Sequence, residues 1–181
     1  MAEAGQTDTT GQPSTIPQKR GADAVRLAAF AVLLISFATI AGAWMFEFAG
    51  YAPCPLCLEQ RIPYYIGVPL ALVAFLVARA MPGALLGRIL VRILGVLFLG
   101  SAVYAAYHAG VEWKFWPGPT DCAAGAGGDV SAGNLLQSLE ETTLIRCDEP
   151  ALRIAGLSLA GWNVIISAAM AGISLRAATK G

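Results

Sequence analysis

Charge is what this 181-residue sequence has least of: 12 basic and 12 acidic side chains make up 13% of the chain, against 56% hydrophobic residues. A soluble domain carries about 25% charged residues. So small a supply cannot cover a water-facing surface, and the chain reads as one surrounded mostly by lipid. Net charge is zero and no basic run interleaves with aromatics, which excludes a nucleic-acid interface. Internal repeats, a nucleotide-binding loop and a metalloprotease signature are also missing.

What is present is long and apolar. Four stretches hold no charged residue: Leu27–Phe46, Ile62–Ala78, Ile93–Val111 and Ile154–Leu175, of 20, 17, 19 and 22 residues. A bilayer core about 30 Å thick takes roughly 17–25 helical residues, so each stretch fits one span. The expected fold is therefore an all-α membrane protein, a bundle of four transmembrane helices. Pro63 and Pro69 fall in the second stretch, where packed neighbours absorb the lost hydrogen bonds. Residues 1–24 are rich in Thr, Gly, Gln and Pro without apolar periodicity, which predicts a disordered tail. The membrane domain is then 25–176, with a second short tail at 177–181. A signal peptide is the rival reading of the first stretch, because Lys19, Arg20 and Arg26 precede it and Ala41-Gly42-Ala43 looks cleavable. The run is longer than the roughly 7–15 residues of a secretory core, so a retained span is the better fit.

Orientation follows from the basic residues. Lys19, Arg20, Arg26, Arg79, Arg88, Arg92, Arg176 and Lys180, eight of the twelve, lie on one side, and Arg61, Lys114, Arg146 and Arg153 on the other. The excess marks the cytoplasmic side, which takes both termini and the Arg79–Arg88 loop. Two cysteine-bearing loops then face outward, into a compartment where disulfides persist. The first, about Glu47–Gln60, holds Cys54-Pro55-Leu56-Cys57; the second, about Glu112–Arg153, holds Cys122 and Cys147. Ala123–Gly133 is Gly-rich and expected to be flexible, and the apolar spacing in Asn134–Arg146 suggests a short interfacial helix. Four cysteines permit three pairings, and the sequence alone does not choose among them.

Two cysteines three positions apart allow a strained, reducible disulfide, whose thiolates gain stability near a helix N-terminus or a cation. The second span begins just after Cys57, and Arg61 lies four residues on, one turn along if the segment is helical. The same spacing could be half of a zinc site completed by Cys122, Cys147 or His108. Zinc sites usually draw on two such pairs, however, and only one exists here. Cys122 and Cys147 could simply staple a loop. Yet Trp116-Pro117-Gly118-Pro119-Thr120 favours an extended approach to Cys122, a shape that a partner's groove can bind. Asp121 disfavours a thiolate at Cys122, whereas Arg146 partly offsets Asp148 and Glu149 beside Cys147. Attack at Cys122 with Cys147 leaving is the favoured polarity.

Ala52–Arg61, reading Ala-Pro-Cys-Pro-Leu-Cys-Leu-Glu-Gln-Arg, resembles the DsbB family, disulfide bond formation protein B. So does Tyr107-His108-Ala109-Gly110-Val111-Glu112-Trp113, which leads to Trp116-Pro117-Gly118-Pro119 and Cys122. The resemblance covers about 25–176, including the span count and loop order. It implies a bacterial inner-membrane oxidoreductase that reoxidises a periplasmic thioredoxin-fold thiol oxidase, DsbA-like. Electrons would pass through two cysteine pairs to a membrane quinone, ubiquinone or menaquinone. By the same resemblance Cys122 forms the mixed disulfide with the partner and Cys147 is its mate. Cys54 and Cys57 accept the electrons, Cys57 contacts the quinone with Arg61 beside it, and His108 lies near the ring. No metal is implied. A vitamin K epoxide reductase relative is the nearest rival, but there the Cys-x-x-Cys comes late in the chain and the loop pair early. A cysteine-ligand metal or haem carrier, and a structural protein with inert disulfides, are the readings from other classes.

Overall fold

The computed structural model describes residues 16–119 and 146–180. Its helices are α1 (Ile16–Phe48), a short α2 (Pro55–Glu59), α3 (Ile62–Ala80), α4 (Leu85–Glu112) and α5 (Leu159–Lys180), with a small ribbon of β1 (Arg153–Ile154) and β2 (Leu157–Ser158) before α5. Among the described residues, four helical segments are long and apolar enough to cross a membrane, α2 and α3 counting as one.

The spans exceed the charge-free stretches because a charge ends an apolar run without ending a helix. Ile16–Ala24, expected to belong to the disordered tail, are instead the opening turns of α1, where Asp23 pairs with Arg26 one turn on, at 3.1 Å. Arg88 and Arg92 likewise sit inside α4, which starts at Leu85 rather than Ile93. The last span is shorter at its start than expected. Ile154–Ser158 leave the helix for an antiparallel ribbon that pairs Arg153 with Ser158 and Ile154 with Leu157. Ala155 and Gly156 both take left-handed φ, 52° and 84°, as a two-residue hairpin turn requires. Ser158 then accepts the Gly161 N–H at 3.1 Å and opens α5. The expected interfacial helix at Asn134–Arg146 and the Gly-rich stretch Ala123–Gly133 lie outside the described residues.

Small residues bring the helices together. Ala28, Ala29, Ala71, Ala74, Ala102 and Ala105 are buried between spans, while Leu27, Phe37, Leu76, Val96 and Val103 point outward. Lipid is as apolar as leucine, so close packing of small side chains, rather than apolar burial, drives such association. α4 packs most extensively on α5, and α1 on α3. At Gly95 the approach is so close that a Cβ would stand 2.7 Å from the Leu175 side chain. The helices alternate in direction. The C-terminal ends of α1 and α4 therefore meet the N-terminal ends of α3 and α5, and the candidate chemistry is gathered at that end.

Candidate functional site

Pro55 at the first position of α2 fixes a helical φ, and Cys54 ahead of it stays extended (φ −75°, ψ 164°) as the N-cap. Its sulfur accepts the Cys57 N–H at 3.3 Å, an orphan donor of that first turn. This local geometry sets the two sulfurs side by side, 2.9 Å apart, as free thiols among the described residues. The Cys57 hydrogen bond, helped by His108 against the cost of burial, holds the Cys54 thiol down at about 5. Of the reduced pair, Cys54 is thus the sulfur that takes the negative charge first.

α2 stops at Glu59, and a turn through Gln60 and Arg61 separates it from α3, which tolerates Pro63 because it falls in the first turn. The uninterrupted helix that would set Arg61 one turn above Cys57 does not form. Arg61 is instead clamped by the Glu47 carboxylate, 2.5 Å away at the end of α1. Glu47 is exposed enough to be overlooked as a surface charge, yet it is the one acidic residue between Asp23 and Glu59. The end of α1 carrying it is closed by Gly50 at φ 95°, with Gly50 N–H donating to Glu47 C=O and Tyr51 N–H to Phe46 C=O. This double closure, sealed by the Phe46 and Tyr51 rings, turns the chain sharply toward Cys54.

His108, on α4, is 1% exposed and presents Nε2 to the Cys54 sulfur at 3.7 Å. Its Nδ1 lies 2.5 Å from Gln60 Nε2, and the Gln60 carbonyl accepts from Asn163 Nδ2 at 2.6 Å. The Tyr64 hydroxyl donates to Asn163 Oδ1 and sits 3.0 Å from Ser167, which contacts Ser101 at 3.1 Å. A chain of polar side chains from α3, α4 and α5 thus ends at the cysteine pair. Glu112, one turn beyond His108, brings Oε1 to 3.9 Å from Nε2 and accepts a hydrogen bond from Ser158. Its Oε2 is buried without a hydrogen-bond partner among the described residues. Gln60 and Asn163 were not legible as site residues, because they meet across 103 positions; Glu112 was not singled out although His108 lies one turn before it.

Cys54, Cys57, Gln60, Arg61, His108 and Glu112 all line a cavity of about 800 Å³. Its remaining walls are largely apolar, from Ile35, Ala38, Ile40 and Phe46 of α1 and Leu159, Trp162 and Ile166 of α5. That volume and a few convergent polar groups suit a flat, weakly polar ring with an apolar tail. Cys54, Cys57 and His108 also present three ligand atoms within 4.8 Å of one another. A metal on Nε2 needs an Nδ1–H facing an acceptor, whereas Gln60 turns an N–H toward Nδ1, so the set suits hydrogen bonding better than coordination.

The second loop reaches the same place. Cys147 is 2% exposed, disulfide-bonded, and packed in one cluster with Cys54 and Leu56. Next to it, Asp148 is gripped by Arg146 at 2.8 Å and by Lys114, and these cations hold its carboxyl well below the usual range. Trp116, in the segment expected to guide a partner, folds back on α4. Its ring stacks on Tyr107 at 6.0 Å and its Nε1–H donates to the Tyr107 carbonyl. Gly110 makes the room, since a Cβ there would lie 2.1 Å from the indole. Cys122 and Thr120 lie outside the described residues.

The sequence model of the family described as "Disulfide bond formation protein DsbB" matches residues 25–177. A protein of Rickettsia prowazekii (strain Madrid E), itself described as uncharacterized, is 23% identical over 139 residues, 75% of this chain and 77% of that one. No solved structure matches.

Proposed function

The chain belongs to the family of disulfide bond formation protein DsbB, membrane oxidoreductases that generate disulfides, and from that membership we propose that it reoxidises a periplasmic DsbA-like thiol oxidase at the expense of a membrane quinone. The observation that carries the reading is the packing of Cys147 against Cys54, on the wall of a largely apolar cavity that also holds Cys57 and Arg61.

The partner's thiolate attacks the Cys122 sulfur, forming the mixed disulfide and releasing Cys147. Cys147, already against Cys54, attacks that sulfur and breaks the Cys54–Cys57 bond, so that Cys57 leaves as a thiolate within the cavity. The partner's second thiol then displaces Cys122 and departs oxidised, and Cys122 attacks Cys147 to restore its own disulfide and release Cys54, leaving Cys54 and Cys57 as the reduced pair. A quinone held in the cavity beside Cys57 and Arg61 would supply the sink for the two electrons and two protons of that pair, whose Cys54–Cys57 disulfide is thereby restored. A strong thiol oxidant can be regenerated only by an acceptor of higher potential, and quinones live in the bilayer. Arg61, steadied by Glu47, offers positive charge to the Cys57 sulfur and to a ring oxygen. The apolar walls exclude water from the exchange. Bacterial inner-membrane residence, with both cysteine loops in the periplasm, completes the proposal.

The test is to mix the purified chain with a reduced thioredoxin-fold oxidase and a short-chain quinone and follow quinone absorbance. Thiol-dependent bleaching is expected, with Cys57→Ser inactive and Cys147→Ser, whose Cys122 is left a free thiol, trapping the oxidised partner as a mixed disulfide through Cys122. Zinc or haem retained by the purified protein, with no bleaching, would sink the proposal in favour of a metal-carrying role.

A further inference from the structure

With the Asn163 amide oxygen taken up by hydroxyl donors, the roles along the branch that ends at His108 follow in order. Tyr64 O–H donates to Asn163 Oδ1, and Ser167 reaches the same oxygen at 3.2 Å. Asn163 is left to donate through Nδ2, which it does to Gln60 Oε1 at 2.6 Å. Gln60 must then offer its own N–H to His108 Nδ1, 2.5 Å away. A ring nitrogen that accepts carries no proton, so the proton of the neutral imidazole is on Nε2. That nitrogen faces the Cys54 sulfur at 3.7 Å. Tyr64, Gln60, His108 and Asn163 are 2%, 7%, 1% and 9% exposed, so these bonds are held within the protein rather than at its surface.

We propose that Gln60 and Asn163 are positioning residues whose amides fix His108 as the Nε2–H tautomer, keeping an N–H donor aimed at the Cys54 sulfur. The inference rests on the reading of Cys54–Cys57 as the redox pair. The donor stabilises the negative charge that Cys54 takes when it is released from a disulfide, and a better-stabilised thiolate leaves faster. The ionisable groups facing Cys54 are Cys57 from its own turn, Tyr104, His108 and Glu112 from α4 and, once its disulfide is reduced, Cys147 packed against it. Of these, His108 is the one that the amide chain controls.

The chain contains a single histidine, so its ring nitrogens can be observed without assignment. The full-length protein, labelled with ¹⁵N-histidine, reduced and held in detergent micelles, is read by long-range ¹H–¹⁵N correlation at about pH 8, above the ordinary imidazole range. The wild type is expected to show a protonated Nε2 and an unprotonated Nδ1. Asn163→Asp, nearly the same shape, can only accept. It forces Gln60 to turn its N–H toward position 163 and its carbonyl toward the ring, which moves the histidine proton to Nδ1. In that variant the pH profile of Cys54 alkylation, followed by peptide mass, shifts upward by about one unit, the scale of one lost charge-assisted hydrogen bond. A wild-type proton on Nδ1, or an unmoved proton in Asn163→Asp, overturns the proposal. Should the variant fail to fold, the wild-type spectrum still decides the tautomer. A protonated Nε2 in a protein that does not bleach quinone would defeat the functional reading alone; turnover with the proton on Nδ1 would defeat the amide chain alone.

Discussion

In the proposed function Arg61 carries two jobs. An arginine at the end of an apolar span anchors helix depth by reaching the interface, and lysine does that equally well. The Glu47 clamp and the shared cavity with Cys57 add a task that depends on shape, since only the guanidinium fork meets a carboxylate and a second oxygen or sulfur together. Arg61→Lys is therefore expected to insert and fold normally while raising the quinone KM. The loss of one charge-assisted contact, about 1.5–3 kcal/mol, corresponds to roughly ten- to a hundred-fold in kcat/KM. Steady-state kinetics with varied quinone, beside a quinone-free single-turnover exchange with the partner, separate the two jobs; unchanged quinone kinetics would return Arg61 to plain anchoring. At this scale the sequence offered as candidates the residues whose chemistry is intrinsic, Cys54, Cys57, Arg61 and His108, and the structure brings these four to one cavity. It hid Glu47, Gln60, Glu112 and Asn163, whose meaning comes from partners that only folding supplies.

Among the elements, the end of α4 couples the helix to the loop that follows. Gly110 lets the Trp116 indole lie against the helix and stack on Tyr107, so the chain leaving α4 starts from a fixed point. Gly110→Ala puts a methyl group where the indole stands. The ring must leave, at a cost typical of overpacking, about 1–3 kcal/mol. The expected outcome is a lower Tm, altered tryptophan emission and a raised KM for the thiol partner, with the quinone KM unchanged. An unmoved partner KM would show that this anchor has no part in docking. The elements themselves were readable from hydropathy, since each span is one uninterrupted helix, apart from the turn at Gln60 and Arg61. Their ends were less so. A charge-free count stops at Arg92 and Arg26 although the helix continues, and it runs through Ile154 and Leu157 although a hairpin intervenes. Hydropathy reports the medium around a residue and is blind to the turn chemistry of Ala155 and Gly156.

Across the whole molecule, the two cysteine-bearing segments converge on one end of the bundle, as Cys147 packing on Cys54 shows. In the proposed orientation, which rests on the eight-to-four split of basic residues, that end faces outward. A membrane-impermeant thiol reagent applied to reduced, intact spheroplasts is expected to label cysteines of both loops; protection of either pair until lysis would reverse the assignment. The alternating helices have one more consequence. Four crossings are an even number, and parity returns the chain to the face from which it set out. Ile16 and Lys180, the outer ends of α1 and α5, both stand at the far end of the bundle from the sulfurs. A tag, a surface tether or a fused reporter at either of those ends therefore hangs on the side away from the thiol exchange. The protein can be immobilised by its ends with its reactive face left open.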